Sequence, residues 1–299
     1  MAISTVRAQI NGTWYNLTLT GTNTYTATIT APGTTSFNRT GGYYDVTVEA
    51  TNTAGTVTTQ NAAGLAALKL VVREKVAPVI TILSPTSGAA VTNNKQPVTF
   101  TIVDEAGGSG INLSSLVVKQ DNTAAASSTI VSTAITNGYS VTYTPASALT
   151  DGSHTVTITV SDNDGNAATA KSTTYKVDTV PPTLNITAPA NGLVTNTSSL
   201  VVRGTTNDTS SSPVTVKIAL NSADQGSITV GTDGSFTKTL TLANGSNTIL
   251  ITATDAAGKA STVTRTVTLD TSKPVVKSAT ITPNPVDAGA SMVISVVVE

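Results

Sequence analysis

Carboxylates in two short loops are the residues of this chain best suited to binding a metal ion. The loops are DEAGGSGI at Asp104–Ile111 and SDNDGN at Ser161–Asn166. Hard oxygen ligands of this kind bind Ca²⁺, although the Asp-x-Asp-Gly spacing falls short of a full EF-hand loop. An alternative stays open, in which these side chains form Asx turns that cap hairpins. The expected calcium ligands, close to domain junctions, are Asp104, Glu105, Asp162 and Asp164.

The sequence contains few residues of the types that carry out catalysis. The chain has no cysteine and one histidine, His154. We expect a lone histidine at the start of a strand to be a surface or turn residue rather than a general base. A serine nucleophile would need that histidine, an oriented carboxylate and a strand-to-helix elbow, and no such elbow is present. We therefore predict no enzymatic activity and no cofactor other than calcium.

Aromatic residues cluster near the start of the chain. Aromatic faces stack on sugars, so this cluster is a candidate glycan-binding platform. The same residues also suit the core and the cross-strand pairs of a small sandwich, and that alternative stays open. The four residues are Trp14, Tyr15, Tyr43 and Tyr44.

Composition points to an all-β protein and excludes several partners. Of the 299 residues, 39% are hydrophobic, 11% are charged and 4% are aromatic, with a net charge of −1. Without a basic patch, nucleic acid is an unlikely partner. No apolar run is long enough for a membrane span, and the start lacks the apolar region of a secretory signal peptide.

One segment of about fifteen residues recurs three times, and each copy is an alternating strand between two turns. The copies span Gly41–Gly55, Asp151–Gly165 and Asn244–Gly258. A short junction bearing a proline follows each copy. The junction prolines recur about every 100 residues, a spacing that suits one sandwich of seven short strands per repeat. They are Pro78, Pro182 and Pro274.

The repeats resemble bacterial immunoglobulin-like repeats. The resemblance rests on DTVPP at Asp178–Pro182 and DEAGGSGI at Asp104–Ile111, and covers nearly the whole chain. It extends to immunoglobulin-like proteins associated with phage tails and fibres of Firmicutes. It implies tandem immunoglobulin-like β-sandwiches. Because proline restricts its own φ and the residue before it, the short junctions predict an extended row of domains.

Strand positions follow from alternation and turn signals. For the segment 1–77 we expect strands C to G only, with a hairpin at Asn11-Gly12 and strand E at Thr24–Pro32. For 78–180 we expect a full domain with strands Val79–Leu83, Val98–Val103, Leu116–Gln120 and His154–Ser161. For 181–271 we expect a second full domain with strands Thr183–Ala188, Ser199–Gly204, Val214–Leu220, Ser227–Val230, Ser235–Leu242, Asn247–Thr254 and Ala260–Leu269. The segment 272–299 should carry only strands A and B, near Val275–Ile281 and Ser291–Val298.

The first and last segments therefore look like complementary parts of one repeat. An incomplete sandwich exposes an apolar trough and unpaired edges that invite a strand from elsewhere. We expect a structural subunit, extracellular or in a virion, that joins head to tail with its own copies by donor-strand complementation. The rivals are a cell-surface or phage adhesin that binds a glycan, and a fragment of a longer array. Phage tail proteins and host-surface glycans are the other expected partners. The expected polymerisation residues are Val276, Met292, Ile294, Val296 and Val298.

Overall fold

The fold was examined in a computed structural model, which describes residues 2–208 and 211–299. Strands and turns make up nearly all of its regular structure, with three short 3₁₀ turns at Thr40–Gly42, Ala66–Leu68 and Ser127–Thr129. The chain divides into two compact units, one up to Asp178 and one from Thr179 onward. The predicted division of the chain into four segments stays a prediction.

The first sheet contains six strands. Its order is β3-β2-β1-β4-β5, with β6 paired to β4. Asn11 and Gly12 both have positive φ, 47° and 81°, as a two-residue I′ hairpin turn between β1 and β2 requires, so the predicted hairpin is confirmed. The strands are β1 (Ile3–Ile10), β2 (Thr13–Gly21), β3 (Thr24–Thr26), β4 (Tyr44–Asn52), β5 (Val57–Gln60) and β6 (Lys69–Leu70).

The strand expected at Thr24–Pro32 is much shorter than predicted. Only Thr24–Thr26 is a strand, and it is the edge strand beside β2. In an immunoglobulin-type sandwich strand E pairs with strand B, and the described residues of this segment supply no strand B. The prediction was wrong because alternation in Thr28, Ile29 and Thr30 cannot form a strand without a neighbour to bond.

The second group of strands, at 79–177, forms two facing sheets. We call this group the second domain, and we call the group at 183–269 the third domain. The sheet orders of the second domain are β12-β13-β9-β7 and β11-β10-β14-β15-β8, which is the arrangement of an immunoglobulin-type sandwich. Strand β9 alternates buried and half-buried side chains, and Phe100 and Ile102 lie in the core between the sheets. The strands are β7 (Val79–Ser84), β8 (Ala90–Val91), β9 (Val98–Val103), β10 (Ile111–Gln120), β11 (Thr123–Ala124), β12 (Ile130–Ile135), β13 (Gly138–Tyr143), β14 (Gly152–Asp162) and β15 (Lys171–Val177).

The third group repeats this plan with sheets β16-β18-β21 and β17-β23-β22-β19-β20. The predicted bounds of its first and last strands are confirmed. The strand expected at Ser227–Val230 instead spans Ala223–Ile228, directly after the turn at Asn221 and Ser222. The strands are β16 (Thr183–Ala188), β17 (Leu193–Thr195), β18 (Ser199–Asn207), β19 (Thr215–Leu220), β20 (Ala223–Ile228), β21 (Ser235–Thr241), β22 (Gly245–Thr254) and β23 (Ala260–Leu269).

The last two strands form a hairpin, β24 (Val276–Thr282) with β25 (Val293–Val298). This two-stranded sheet pairs with no other strand among those described. Every residue of both strands is exposed. Met292, expected inside the strand, lies just before it. An isolated hairpin is marginally stable in water, so a partner that covers one of its faces would stabilise it.

Candidate functional site

Three carboxylates converge where the first sheet meets the second domain. Glu74 lies between β6 and β7, and Asp104 and Glu105 directly follow β9. One carboxylate oxygen from each side chain lies within 4.8 Å of the other two. Asp104 and Glu105 were predicted as ligands, whereas Glu74 was not. We call these three residues the carboxylate cluster.

Each carboxylate of the cluster has one buried oxygen that has no hydrogen-bond partner. Asp104 is only 4% exposed, and its Oδ1 accepts no hydrogen bond. Oε2 of Glu74 and Oε2 of Glu105 are buried and unpartnered in the same way. The other carboxylate oxygens of Asp104 and Glu74 accept hydrogen bonds. The Gly110 N–H donates to Asp104 Oδ2 at 2.7 Å, and the Ser109 N–H donates to Glu74 Oε1. These two hydrogen bonds hold the carboxylate groups of Asp104 and Glu74 in place.

Burial and like charges disfavour the ionised form of Asp104. Burial raises the pKa of its carboxyl above the usual value, and the charges of Glu74, Asp162 and Asp164 raise it further, while the bond from Gly110 lowers it. The cluster lies directly against Gly108, where a Cβ would lie 2.6 Å from Asp104 Oδ2 and 2.9 Å from Glu74 Oε2, so a larger residue would require the carboxylates to shift.

Asp162 and Asp164 lie outside this group of three. Both oxygens of Asp162 accept from Asn166, at 2.8 Å from its N–H and 2.7 Å from Nδ2, which is the turn-capping role left open as an alternative. Asp164 Oδ2 accepts from Thr35 Oγ1 at 2.5 Å and from the Glu74 N–H at 3.0 Å. Asp164 therefore holds Glu74 in place and ties the first segment to the second domain.

A second feature is the amphipathic character of the last hairpin. Directly opposite residues share a face of a sheet, so Ile281 with Ile294 and Ala279 with Val296 form one apolar face. Val298 joins this face by alternation along β25. The opposite face is mixed, with Ser and Thr from β24 and with Val293, Ser295 and Val297 from β25. We call the first face the hairpin's apolar face.

Near both ends the hairpin pairs in the register of the first strand pair of the third domain, whereas the bulge between these ends lies at a different position. In the third domain Leu184 pairs with Thr206, and in the hairpin Val276 pairs with Val298. Both pairings join residues 22 positions apart (184 to 206 and 276 to 298). Nearer the turn, Ala188↔Arg203 and Thr280↔Ser295 again have equal spacing.

The first sheet also has one apolar face. Ala8 lies opposite Tyr15 on one side and opposite Val48 on the other, so the three side chains share a face. No second sheet is formed by the described residues of this segment. We call this the first sheet's apolar face, and its members are Val6, Ala8, Ile10, Tyr15, Leu17, Val46, Val48 and Ala50.

The four aromatic residues do not share one surface. Trp14 and Tyr15 are successive residues of β2, so they point to opposite faces, and the Arg7 guanidinium lies 4.2 Å from the Trp14 ring centre. Tyr44 is 1% exposed, and its hydroxyl lies 2.7 Å from Thr34 Oγ1. Tyr44 is thus a core residue, and the four rings do not form the expected sugar platform.

His154 is buried rather than a surface residue, so that expectation was wrong. Its exposure is 8%, Nδ1 lies 2.7 Å from Asp121 Oδ2, and Nε2 lies 2.7 Å from the Thr150 carbonyl oxygen. Burial lowers its pKa, but the bonds to Asp121 and Thr150 raise it by more, so the pKa lies above the usual value. Both ring nitrogens face acceptors, which suits the doubly protonated ring.

Two family models match the second and third domains. Residues 84–179 match the family model of the bacterial Ig-like domain. Residues 182–271 match the model of glucodextranase, domain B. Tandem immunoglobulin-like domains are therefore the class to which the architecture belongs, and such domains are typically non-catalytic. No helix in the described part of the chain is long and apolar enough to cross a membrane.

Individual relatives are distant or partial. The chain is 30% identical to bacillopeptidase F of Bacillus subtilis (strain 168) over 128 residues, which is 43% of this chain and only 8% of that protein. The fibronectin(III)-like modules of Clostridium thermocellum CbhA match with a TM-score of 0.42 and 17% identity, covering 64% of this chain and 94% of theirs. Sidekick-1 immunoglobulin domains 1–5 match with a TM-score of 0.36 and 13% identity, covering 92% of this chain and 55% of theirs.

Proposed function

We propose that this protein is a structural subunit, extracellular or in a virion, that joins its own copies head to tail. The hairpin's apolar face of one copy packs on the first sheet's apolar face of the next copy. The observation that carries the proposal is the hairpin itself, which matches a first strand pair at both ends and, among the described residues, pairs with no other strand. Phage tail proteins remain a predicted partner of such a fibre.

The size and polarity of the two faces support this pairing. Ile294 and Val296 are 59% and 52% exposed in the hairpin. Burying Ile281, Ile294, Val296 and Val298 would contribute about 6–12 kcal/mol at about 1.5–3 kcal/mol per side chain, before the cost of association. The described residues of the first segment form no facing sheet, which in complete domains contains strands A and B. The two faces differ, so the contact is heterologous and propagates as an open fibre.

The test compares substitutions on opposite faces of one strand. Ile294→Asp places a charge in the proposed contact and should leave single molecules in light scattering and electron microscopy. Val293→Asp changes the other face of β25 and should leave fibres intact. On the acceptor side, Val48→Asp should abolish fibres, and Thr47→Asp, which faces the other way, should not.

Mixing the two disabled proteins gives a sharper readout. Ile294→Asp retains a working first sheet and Val48→Asp retains a working hairpin, so together they should form a discrete pair and nothing longer. Single molecules of the unmodified protein at every concentration would overturn the proposal, because the hairpin would then be completed by residues of its own polypeptide. Fibres formed by Ile294→Asp would overturn it as well.

A further inference from the structure

We propose that the carboxylate cluster of Glu74, Asp104 and Glu105 binds one Ca²⁺ ion. The ion would join the segment that follows the first sheet to the second domain. The inference is independent of the head-to-tail contact, which uses other residues.

The cluster needs a cation to balance its charge. Each of the three carboxylates places one oxygen within 4.8 Å of the other two, and each has one buried oxygen that accepts no hydrogen bond. None of the three forms a salt bridge within residues 2–208 and 211–299. Burying an unpaired charge is costly, and metal coordination is a common way in which proteins compensate it. Asp104 is 4% exposed, and its Oδ1 is buried without a hydrogen-bond partner beside the carboxylates of Glu74 and Glu105.

The ligand types favour calcium over the transition metals. All three side chains offer oxygen, the chain has no cysteine, and the single histidine is bonded to Asp121 and Thr150. Ca²⁺ accepts irregular oxygen geometry and fills remaining positions with carbonyl groups and water, whereas Mg²⁺ requires a near-ideal octahedron. Two carboxylates directly adjacent in sequence, at Asp104 and Glu105, suit the more tolerant ion.

The surrounding bonds show what the ion would couple. Asn38 Nδ2 of the first segment donates to the Gly108 carbonyl at 2.6 Å, and Asn166 Nδ2 of the second domain donates to the Glu74 carbonyl at 3.3 Å. Asp164 bonds both Thr35 and the Glu74 N–H. Ion binding at the cluster would therefore stabilise contacts that the first segment and the second domain already make.

The experiment is calorimetric titration of the chelator-treated full chain with CaCl₂. The unmodified chain should bind one ion more than the Asp104→Asn/Glu105→Gln variant, and Glu105→Gln alone should weaken that site about tenfold or more, since affinity follows ligand charge. Asp233→Asn, an exposed carboxylate in the third domain, is the matched control and should change nothing. Equal numbers of ions in the unmodified chain and the double variant would overturn the proposal, and so would equal binding of Mg²⁺ at that site.

A second measurement uses only the unmodified chain and does not depend on the folding of a variant. Calcium should slow hydrogen exchange of the Ser109 and Gly110 amides, which donate to Glu74 and Asp104, relative to the chelator-treated protein. The amide of Gly234, in a turn of the third domain, serves as the internal reference. Unchanged exchange at Ser109 and Gly110 in saturating calcium would overturn the proposal.

Discussion

The first sheet and the second domain have the same strand alternation but very different interiors. Among the described residues, fourteen apolar side chains are buried in the core of the second domain, against three in the first segment: Ala8, Tyr44 and Ala62. Strand β9 buries every second residue fully, whereas β1 buries only Ala8. Alternation thus specifies an apolar face, but only a facing sheet turns that face into a core.

The largest expected effect is the difference in unfolding free energy between two isoleucine-to-alanine substitutions, one in each region. Ile102 in β9 is 0% exposed, while Ile10 in β1 is half-buried. Ile102→Ala should cost about 2–5 kcal/mol, because it removes core contacts and leaves a cavity. Ile10→Ala should cost about 1 kcal/mol or less, because much of that side chain already meets water. Hydrogen exchange of β9 and β1 amides measures the two effects separately.

The measurement is best made in the Ile294→Asp background, in which the proposed hairpin contact is absent. If the two isoleucines then cost the same, the first segment has a closed core and the comparison fails. A larger cost of Ile10→Ala in assembled protein than in single molecules would sharpen it, since the neighbour's hairpin would be covering Ile10.

The sequence predicts those strand bounds and turns that depend on interactions between residues close in the chain. The bounds of β16, β23 and the Asn11-Gly12 turn could be predicted because alternation and positive-φ residues act over a few positions. The short β3 could not, because its length depends on a partner strand that is absent from the described residues of its segment. The alternation of side chains within one segment does not indicate which strand is its neighbour in the sheet.

The candidate site was predicted in part for the same reason. Asp104 and Glu105 stand in one loop, so their proximity follows from sequence. Glu74 lies in a junction before β7, and only the folded chain brings it to that loop. A signal was nevertheless present, since Glu74 is a carboxylate in the junction VREKVAP, four residues before Pro78. Asp162 and Asp164 belonged to the right region but bond Asn166, Thr35 and Glu74 instead.

The two regions also differ in how they hold opposite charges. In the second domain His154 pairs with Asp121 at 2.7 Å, and the histidine side chain is 10% exposed. In the first sheet Arg7 pairs with Glu49 at 2.7 Å, and the arginine side chain is 46% exposed. The partner carboxylates show the reverse order, since Asp121 is 44% exposed and Glu49 is 17% exposed, so water reaches one side of each pair. Both ring nitrogens of His154 are bonded, and the ring titrates near neutral pH, so its titration should have the larger effect on stability.

The intermediate effect is a pH dependence of the second domain. Because the pKa of His154 is raised on folding, its contribution is present below the unfolded value of about 6.5 and is lost as pH rises through the folded value. Burial raises the pKa of Asp121, but bonds from His154 and the Thr155 N–H lower it by more. Its contribution is therefore present above about pH 4 and lost as pH falls further.

The second domain should thus gain most from this pair between about pH 4 and 6.5. His154→Gln should cost about 1–3 kcal/mol at pH 5, since a buried bond to a charged group is lost. It should cost less at pH 8. Urea unfolding at both pH values, monitored by exchange of β14 amides, measures the difference. An equal cost at both would show that the ring is neutral in the folded state throughout.

The smallest expected effect is that of the Arg7–Glu49 pair in the first sheet. Nε and Nη2 of Arg7 both donate to Glu49 Oε2, at 2.8 and 2.7 Å. A double-mutant cycle of Arg7→Ala and Glu49→Ala should give a coupling of about 0.2–1 kcal/mol, because solvent screens the charges and two long side chains must be ordered. Arg7→Ala alone should cost more than Glu49→Ala, since it also removes the contact with the Trp14 ring. Raising the salt from 0.1 to 1 M shortens the screening length from about 10 to 3 Å and should reduce the coupling while leaving the ring contribution largely unchanged. A coupling above about 2 kcal/mol would mean that this face of the first sheet is shielded from water, and the contrast with the second domain would then be restricted to the opposite, apolar face.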